Sequence, residues 1–531
     1  MTVRDNIARS FAGGPEFRIQ PDRLIIEPIH DNNVTALAES ASDEVKEIID
    51  KSPIPLDVLE DVGNRIRDFG FSVQELGNTG LLVAQTDDIG SVIDKISEAA
   101  NTFSKSAVNQ LVRLKEKAQS TVEDFSEKGY NIYESQYSAN VDLAQEVGIR
   151  ERLTDLSLRN TLTDVLEQID QIRSVEMGFT RNTFGPRNLN IDIEDQFRSI
   201  TGQEEEKEEL PTLGDAVQKI GAKNVWPSTR GENAVVAVLD TSYNRDFFSS
   251  QRLIDTYSGS GTEGVFAKPE EGHGTMSAYT ATGNKEESGL PFSGVAPEAG
   301  VLLARTTDVD GALSNTEEAW DWLVGQIKDL DRPVFSNHSY GVPLCSARPM
   351  SLCDSATTKL VKAMNKRDDH QAFYAAGNEA LYCGHRLGGM TNGINGPNSL
   401  PNSISVGALR YDLRDAQNYS SHGYGTCSSI RNNPKPDVGS LIPSVLPYGT
   451  DLKDMSSGVG GSSGGTSDAC PMTCGVGALV GSVKGDADVG QILEDTAMLP
   501  RITQINILRD HDARFGHGQV QADVAVNQVL Q

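Results

Sequence analysis

The run GGTSDACPMTCGVGALVG, Gly464 to Gly481, sets a serine between small residues directly ahead of an apolar, helix-like stretch. Ser467 is therefore the candidate nucleophile. Glycine-rich turns that lead into helices are common, and most serines in them only cap the helix. Three other segments give this serine company. Asp240 ends the strand-like run VVAVLD, His273 sits in GHGTMSAYTATG, and Asn378 sits in AFYAAGNEA. Ser462 and Ser463 are rivals in position, but their glycine-rich surroundings read as an approach loop.

The chemistry explains why these residue types are needed together. A serine hydroxyl is a poor nucleophile until a neutral imidazole takes its proton, and the imidazole needs a carboxylate to fix its tautomer. Asp240, His273 and Ser467 supply those three roles. The attacked carbonyl becomes an oxyanion that needs hydrogen-bond donors, and the Asn378 amide with the Ser467 backbone N–H suits that task. The chain order Asp, His, Ser is one of several known for this geometry.

On these four motifs the segment from about residue 209 to about 515 resembles the catalytic domain of the subtilisin-like serine proteases. VFSNHSYG resembles that family's substrate-binding strand, and FSGVAPEAGVLLARTTD and LPNSISVGALRYDLRDAQNYSSHGY follow in the family's order. The resemblance implies an α/β fold, a mainly parallel sheet flanked by helices, and a serine endopeptidase acting on polypeptides. It also implies that Ser339, Tyr340 and Gly341 pair with substrate backbone as an added strand, and that Ala375, Ala376 and Gly377 border the side-chain pocket. No cofactor is implied for the chemistry. Family members often bind structural calcium, but no contiguous calcium loop is visible here. The chain departs from the pattern at Thr241-Ser242 after the aspartate, at Met276-Ser277-Ala278-Tyr279 after the histidine, and at Asp468 after the serine. Tyr279 stands where a glycine is usual and is expected to crowd the histidine helix. Asp468 puts a carboxylate beside the nucleophile.

Composition frames the rest. Hydrophobic residues make up 37% and charged residues 23% of 531, ordinary for a globular chain with several domains. Forty-seven basic against 75 acidic residues give a net charge of -28, which argues against nucleic acid or an anionic membrane as partner. The balance suits a salt-rich environment as well as an ordinary acidic protein. The N-terminal run MTVRDNIARSFAGGPEFRIQPDRLIIEPI lacks the apolar core of a secretory signal, and no stretch of about 18 apolar residues occurs. A cytoplasmic or particle-associated protein is expected. Of the six cysteines, Cys345 and Cys353 are near enough to close a small loop, and Cys470 and Cys474 read as small apolar groups.

Residues 1–100 read as α+β: a strand at Arg23–Ile29, a helix at Val34–Lys51, a hairpin over Phe71–Thr86 and a helix over Asp87–Ala99. The order is similar to the propeptides of the same family, so the chain's own N-terminal region is an expected inhibitor. Residues 101–201 read as a helical extension, with Leu153, Leu156, Val165, Leu166, Ile169 and Ile172 as an apolar stripe. The acidic run 202–210 reads as a linker before a peptidase domain at 211–531, with self-cleavage expected between Gly202 and Leu213. Two other readings stay open: a dedicated maturation protease of a viral or other assembly, and a non-catalytic binding protein on the same fold.

Overall fold

The computed structural model describes residues 19–28, 56–76, 78–79, 81–85, 89–98, 166, 172–179, 182–183, 211–258, 272–306, 315–341, 350–353, 355–378, 380, 394–411, 413, 415–425, 427, 434–443, 445–448, 451–454, 465–499 and 514–531. The chain divides into two compact units, residues 1–180 and 181–531.

In the first unit the elements run β1 (Ile19–Pro28), α1 (Leu56–Asp68), β2 (Ser72–Leu76), β3 (Leu81–Gln85), α2 (Ile89–Glu98) and β4 (Ile172–Phe179). The sheet order is β2-β3-β1-β4, with every neighbouring pair antiparallel. This is a split β-α-β-β-α-β arrangement. Val62 and Ile66 on α1, with Val92, Ile93 and Ile96 on α2, are buried at helical spacing. The strand, hairpin and second helix fall where the sequence places them. The expected helix Val34–Lys51 lies outside the described residues, and α1 was not anticipated.

The helical reading of 101–201 needs one correction. Ile172, expected at the end of the apolar stripe, opens strand β4, which pairs with β1 through Ile26↔Val175 and Ile25↔Glu176. The run IRSVEMGF alternates with a period of two at Val175, Met177 and Phe179, the pattern of a strand. Without β4 one row of β1 backbone groups would be an open edge. Leu166 of the stripe is helical and buried, and its other members lie outside the described residues.

The second unit opens with β5 (Asn182–Thr183) and α3 (Leu213–Lys219), then β6 (Val235–Asp240), β7 (Leu253–Tyr257), α4 (His273–Thr282) and β8 (Gly300–Arg305). Next come α5 (Thr316–Asp329), β9 (Val334–His338), β10 (Tyr340–Gly341), α6 (Ala356–Met364), β11 (His370–Ala375) and β12 (Ile404–Leu409). It closes with β13 (Gly423–Tyr424), β14 (Pro434–Lys435), β15 (Val438–Leu441), β16 (Val445–Tyr448), β17 (Asp451–Asp454), α7 (Thr466–Val483), α8 (Val489–Thr496) and α9 (Ala522–Leu530).

Seven of these strands form one sheet, ordered β15-β12-β11-β9-β6-β8-β7, in which every neighbouring pair is parallel. A parallel sheet covered on both faces needs strands that are apolar on both sides, and VVAVLD, GVLLAR and ISVGAL are buried throughout. Along β6 the faces separate cleanly. Val236 and Val238 join the core that holds α4, α7 and α9, while Val235, Ala237 and Leu239 join the core under α5 and α6. On α5, Trp320, Leu323, Val324 and Ile327 supply the matching stripe. The expected α/β architecture is present.

Cys353 is disulfide-bonded to Cys427 across 74 residues of sequence, so the small loop expected from Cys345 to Cys353 is not the pairing found. Proximity in sequence was the wrong guide, because α6, β11 and β12 bring the two distant residues together. Cys470 and Cys474 are free and buried on α7, as expected. Among the described residues no helix is long and apolar enough to cross a membrane.

One buried ion pair sits at the edge of the sheet. The fully buried Lys435 ammonium donates to Asp437 at 2.6 and 2.9 Å and to the Ser403 carbonyl at 2.7 Å, while Asp437 also accepts from the Ser405 N–H at 2.6 Å. Removing one partner strands a charge, whereas removing both does not. Asp437→Ala is expected to cost about 3–5 kcal/mol of stability. The Lys435→Met, Asp437→Ala double variant is expected to lose less than that single change, as read from chemical denaturation midpoints.

Candidate active site

The central strands β11, β9 and β6 are neighbours and parallel, so their carboxyl ends open at one edge of the sheet, where α/β proteins place their ligands. Asp240 ends β6, Ser339 follows β9, and Ala375 ends β11 just before Ala376, Gly377 and Asn378. Helices α4 and α7 pack together and carry His273 and Ser467 in their first turns.

Asp240 and His273 are both buried and joined at 2.6 Å between Oδ1 and Nδ1. The same carboxylate accepts from the Thr241 N–H at 2.7 Å and, on Oδ2, from the Ser277 hydroxyl at 2.9 Å. Three donors fix its plane. An ionised carboxylate only accepts, so the ring proton stays on Nδ1 and Nε2 is left as the basic nitrogen. Among the described residues Nε2 has no hydrogen-bond partner. Burial lowers the His273 pKa, but the charge of Asp240, its hydrogen bond and the charge of Asp468 together outweigh burial and raise it.

Local sequence explains how the helix reaches the strand. A Cβ on Gly274 would lie 2.7 Å from the carbonyl oxygens of Thr241 and Ser242, so only glycine admits this approach. The Gly274 N–H donates to Thr241 Oγ1 at 2.9 Å, which gives Thr241 a role in the docking. The crowding expected from Tyr279 is absorbed elsewhere. Its ring lies where a Cβ of Gly283 would fall, its carbonyl oxygen where a Cβ of Gly294 would fall, and its hydroxyl bonds Ser288 at 2.6 Å and the Phe292 carbonyl at 3.0 Å.

Ser467 is fully buried and stands second in α7. Its N–H is one of the four at a helix start that have no intrahelical acceptor. Pro471, four residues on, has no N–H to give the Ser467 carbonyl, and the Ser339 hydroxyl donates to that carbonyl instead at 3.1 Å. In return the Ser467 hydroxyl donates to the Ser339 carbonyl at 3.1 Å. The hydroxyl is therefore turned toward Ser339, and the His273–Ser467 hydrogen bond is not formed in this conformation. Next along the helix, Asp468 is buried, and its Oδ2 has no partner among the described residues. Burial pushes the Asp468 carboxyl up to about 7, with His273 and a backbone hydrogen bond from Gly465 pulling the other way.

Asn378 is anchored through its side-chain oxygen, which accepts from the Thr466 N–H and hydroxyl, both at 3.0 Å. Thr466 Oγ1 in turn accepts from the Gly377 N–H at 3.1 Å. The N–H donor assigns the oxygen end of the amide, so the NH₂ end faces away from Thr466. Of the expected substrate-binding residues, Tyr340 and Gly341 form the buried strand β10, and Ala375 and Ala376 are tied into the fold. The Ala375 carbonyl accepts from Asn398 at 2.7 Å, and the Ala376 N–H donates to Val406 at 3.0 Å.

Sequence reading gave no role to Ser277, Thr466 or Pro471. Ser277 had a signal, being one helical turn after His273 and so on the same face. Pro471 had one too, at four residues from the serine. Among the described residues no three His, Cys, Asp or Glu side chains gather to hold a metal ion.

Two curated proteins are similar to the chain. An intracellular serine protease of Paenibacillus polymyxa is 33% identical over 130 residues, 24% of this chain and 36% of that protein. Subtilisin-like protease 2 of Trichophyton tonsurans is 27% identical over 286 residues, 53% of this chain and 56% of that protein. The chain thus spans little more than half the length of either relative at most. The family model described as the subtilase family, peptidase S8, matches residues 231–518, which take in the whole parallel sheet and both helices of the site. On that match, the chain belongs to the subtilase family.

Proposed function

We propose that the chain is a serine endopeptidase in which Ser467 attacks a peptide carbonyl, His273 serves as base and then acid, Asp240 orients His273, and Asn378 holds the oxyanion. The observation that carries this reading is the buried 2.6 Å bond between Asp240 and His273 Nδ1, which leaves Nε2 as an unpartnered base among the described residues. A turn about the Ser467 Cα–Cβ bond releases the hydroxyl from the Ser339 carbonyl toward that nitrogen. Such bonds are often unformed before substrate is in place. As Oγ bonds to the carbonyl carbon, its proton passes to Nε2 and the π electrons move to oxygen. The Ser467 N–H and the Asn378 NH₂ serve as donors to the negative charge. Collapse expels the amine, which takes the proton from Nε2, and water then releases the acyl group by the same steps reversed.

Asp468 modifies this base. Below about pH 7 its buried carboxyl is protonated and neutral. Above that pH it becomes a second negative charge that favours the His273 imidazolium and so opposes base action.

Self-cleavage between Gly202 and Leu213 has a narrower range open to it than the sequence implies. Residues 202–210 lie outside the described residues, and Leu213 is fully buried at the start of a helix closed by the Thr212–Asp215 capping box.

Ser467→Ala is expected to abolish labelling by a fluorophosphonate and leave only the roughly 10³ to 10⁴-fold rate over water that binding and oxyanion stabilisation supply. Its melting temperature should be unchanged within a few degrees. A labelled, active Ser467→Ala protein would move the nucleophile elsewhere.

Asn378→Asp keeps an acceptor for Thr466 but removes the donor. Turnover is expected to fall by about 10² to 10³-fold or more, with a small change in KM. Equal turnover in steady-state assays would remove Asn378 from the mechanism.

Asp468→Asn has two expected effects with defined signs. Without the carboxylate the imidazolium is less favoured, so the acid limb of the kcat/KM profile moves to lower pH. The parent carboxyl is neutral in the fold and ionised when unfolded between its ordinary value of 3.8 and about 7, so the parent loses stability as pH rises through that window. The asparagine variant does not, and its advantage in melting temperature should grow from pH 4 to 7 and then level off.

A further inference from the structure

His273 Nε2, Asp468 Oδ2 and the Tyr419 hydroxyl are buried without a hydrogen-bond partner among the described residues. The first is the base. The other two have no part in the triad, yet both are fixed beside it. Asp468 follows the nucleophile in the first turn of α7. Tyr419 is tied to the segment that carries Asn378, because its carbonyl accepts from the Ala380 N–H at 3.1 Å and the Ser421 N–H donates to the Gly377 carbonyl at 2.8 Å. Residues 419–421 therefore run alongside 377–380. The side chains also act on one another. Burial and then the charge of Asp468 raise the Tyr419 pKa, while on His273 burial lowers the pKa and the charges of Asp240 and Asp468 raise it.

We propose that Asp468 and Tyr419 form the subsite for the residue on the leaving side of the cut bond, and that this residue is basic, lysine or arginine. This rests on the endopeptidase reading above. His273 Nε2 gives its proton to the leaving amine, so the residue that bears that amine lies against whatever stands beside the base. Of the two carboxylates that act on His273, Asp240 is already held by three donors, whereas Asp468 has an oxygen to spare. Access is shared. Ser467, His273 and Asp468 are 0, 2 and 2% exposed, so a substrate that reaches the hydroxyl also reaches the carboxyl next to it.

A buried carboxyl with no fixed cation beside it keeps its proton. Lysine or arginine supplies the missing charge, and the Tyr419 hydroxyl completes the contact by accepting from the ammonium or guanidinium. Aspartate or glutamate in the same place meets like charge and is rejected. The net charge of -28 works in the same direction at long range, since it draws basic peptides toward the chain.

The test uses the full-length wild-type chain, Asp468→Asn and Tyr419→Phe. Cut positions in casein are mapped by mass spectrometry, and one peptide that the wild type cuts is remade with lysine, norleucine or glutamate directly after the cut. The expected order of kcat/KM is lysine, norleucine, glutamate, with lysine about 10-fold or more above norleucine. Any effect of Asp468→Asn on the base is common to all three peptides, so the lysine-to-norleucine ratio isolates the subsite. That ratio should fall to about 1 in Asp468→Asn. Tyr419→Phe carries the test independently and should lower the ratio about 3-fold. A wild type that cuts all three peptides equally overturns this proposal and leaves the endopeptidase reading intact. A lysine preference that survives in Asp468→Asn overturns it too, and an unchanged ratio in Tyr419→Phe overturns the shared subsite. A wild type that cuts nothing overturns both the subsite and the endopeptidase reading.

Discussion

Pro471 denies the Ser467 carbonyl its place in the helical ladder, and much of the site's geometry depends on what fills the gap. The Ser339 hydroxyl does so, and the Ser467 hydroxyl answers it by donating to the Ser339 carbonyl. Two residues 128 apart in sequence are thereby held face to face. Helix α7 brings one and the end of β9 brings the other, so neither element can slide without breaking both bonds. Strand β10, which follows Ser339 directly, is thus referenced to the serine.

Under that strand lies a buried polar chain. Tyr340 OH meets His338 Nδ1 at 2.9 Å, His338 Nε2 meets Ser336 Oγ at 2.9 Å, and Ser336 Oγ meets His370 Nε2 at 3.0 Å. Burial lowers the His370 pKa to about 4, so that ring is neutral at ordinary pH. The His338 ring is also sandwiched between Trp320 and Tyr374, with centroids 4.9 and 4.4 Å away and planes within 11 and 14° of parallel. His370 Nδ1 has no partner among the described residues, but the bonds from Tyr340 to His370 Nε2 tie four side chains together in a packed interior, which admits few alternative arrangements. The network stiffens β9 and β10.

What could be read from sequence follows the range of the interactions involved. VVAVLD and GHGTMSAYTATG carry local strand and turn signals, and the strand and the helix they form bring Asp240 and His273 into contact. The serine helix was legible for the same reason. Strand β4 was not, because a helix-like spacing through Ile169 and Ile172 competes with a period of two that β1 alone resolves. Ser277, Thr466 and the Cys353–Cys427 pairing were missed because each is defined by a contact that only the assembled sheet creates. Asp468 was visible as a residue but not as a charge problem. Its burial comes from packing on all sides, which no local window reports.

The Cys353–Cys427 bridge has a consequence of a different kind. The loop it closes, 74 residues in sequence separation, contains β11, β12 and Asn378. Hydrolysis of any one peptide bond inside that loop leaves the two pieces joined through sulfur. A nicked molecule would migrate as an intact one in a non-reducing gel and separate only when a thiol is added. Damage between these two cysteines is therefore hidden from size and need not scatter the residues of the site.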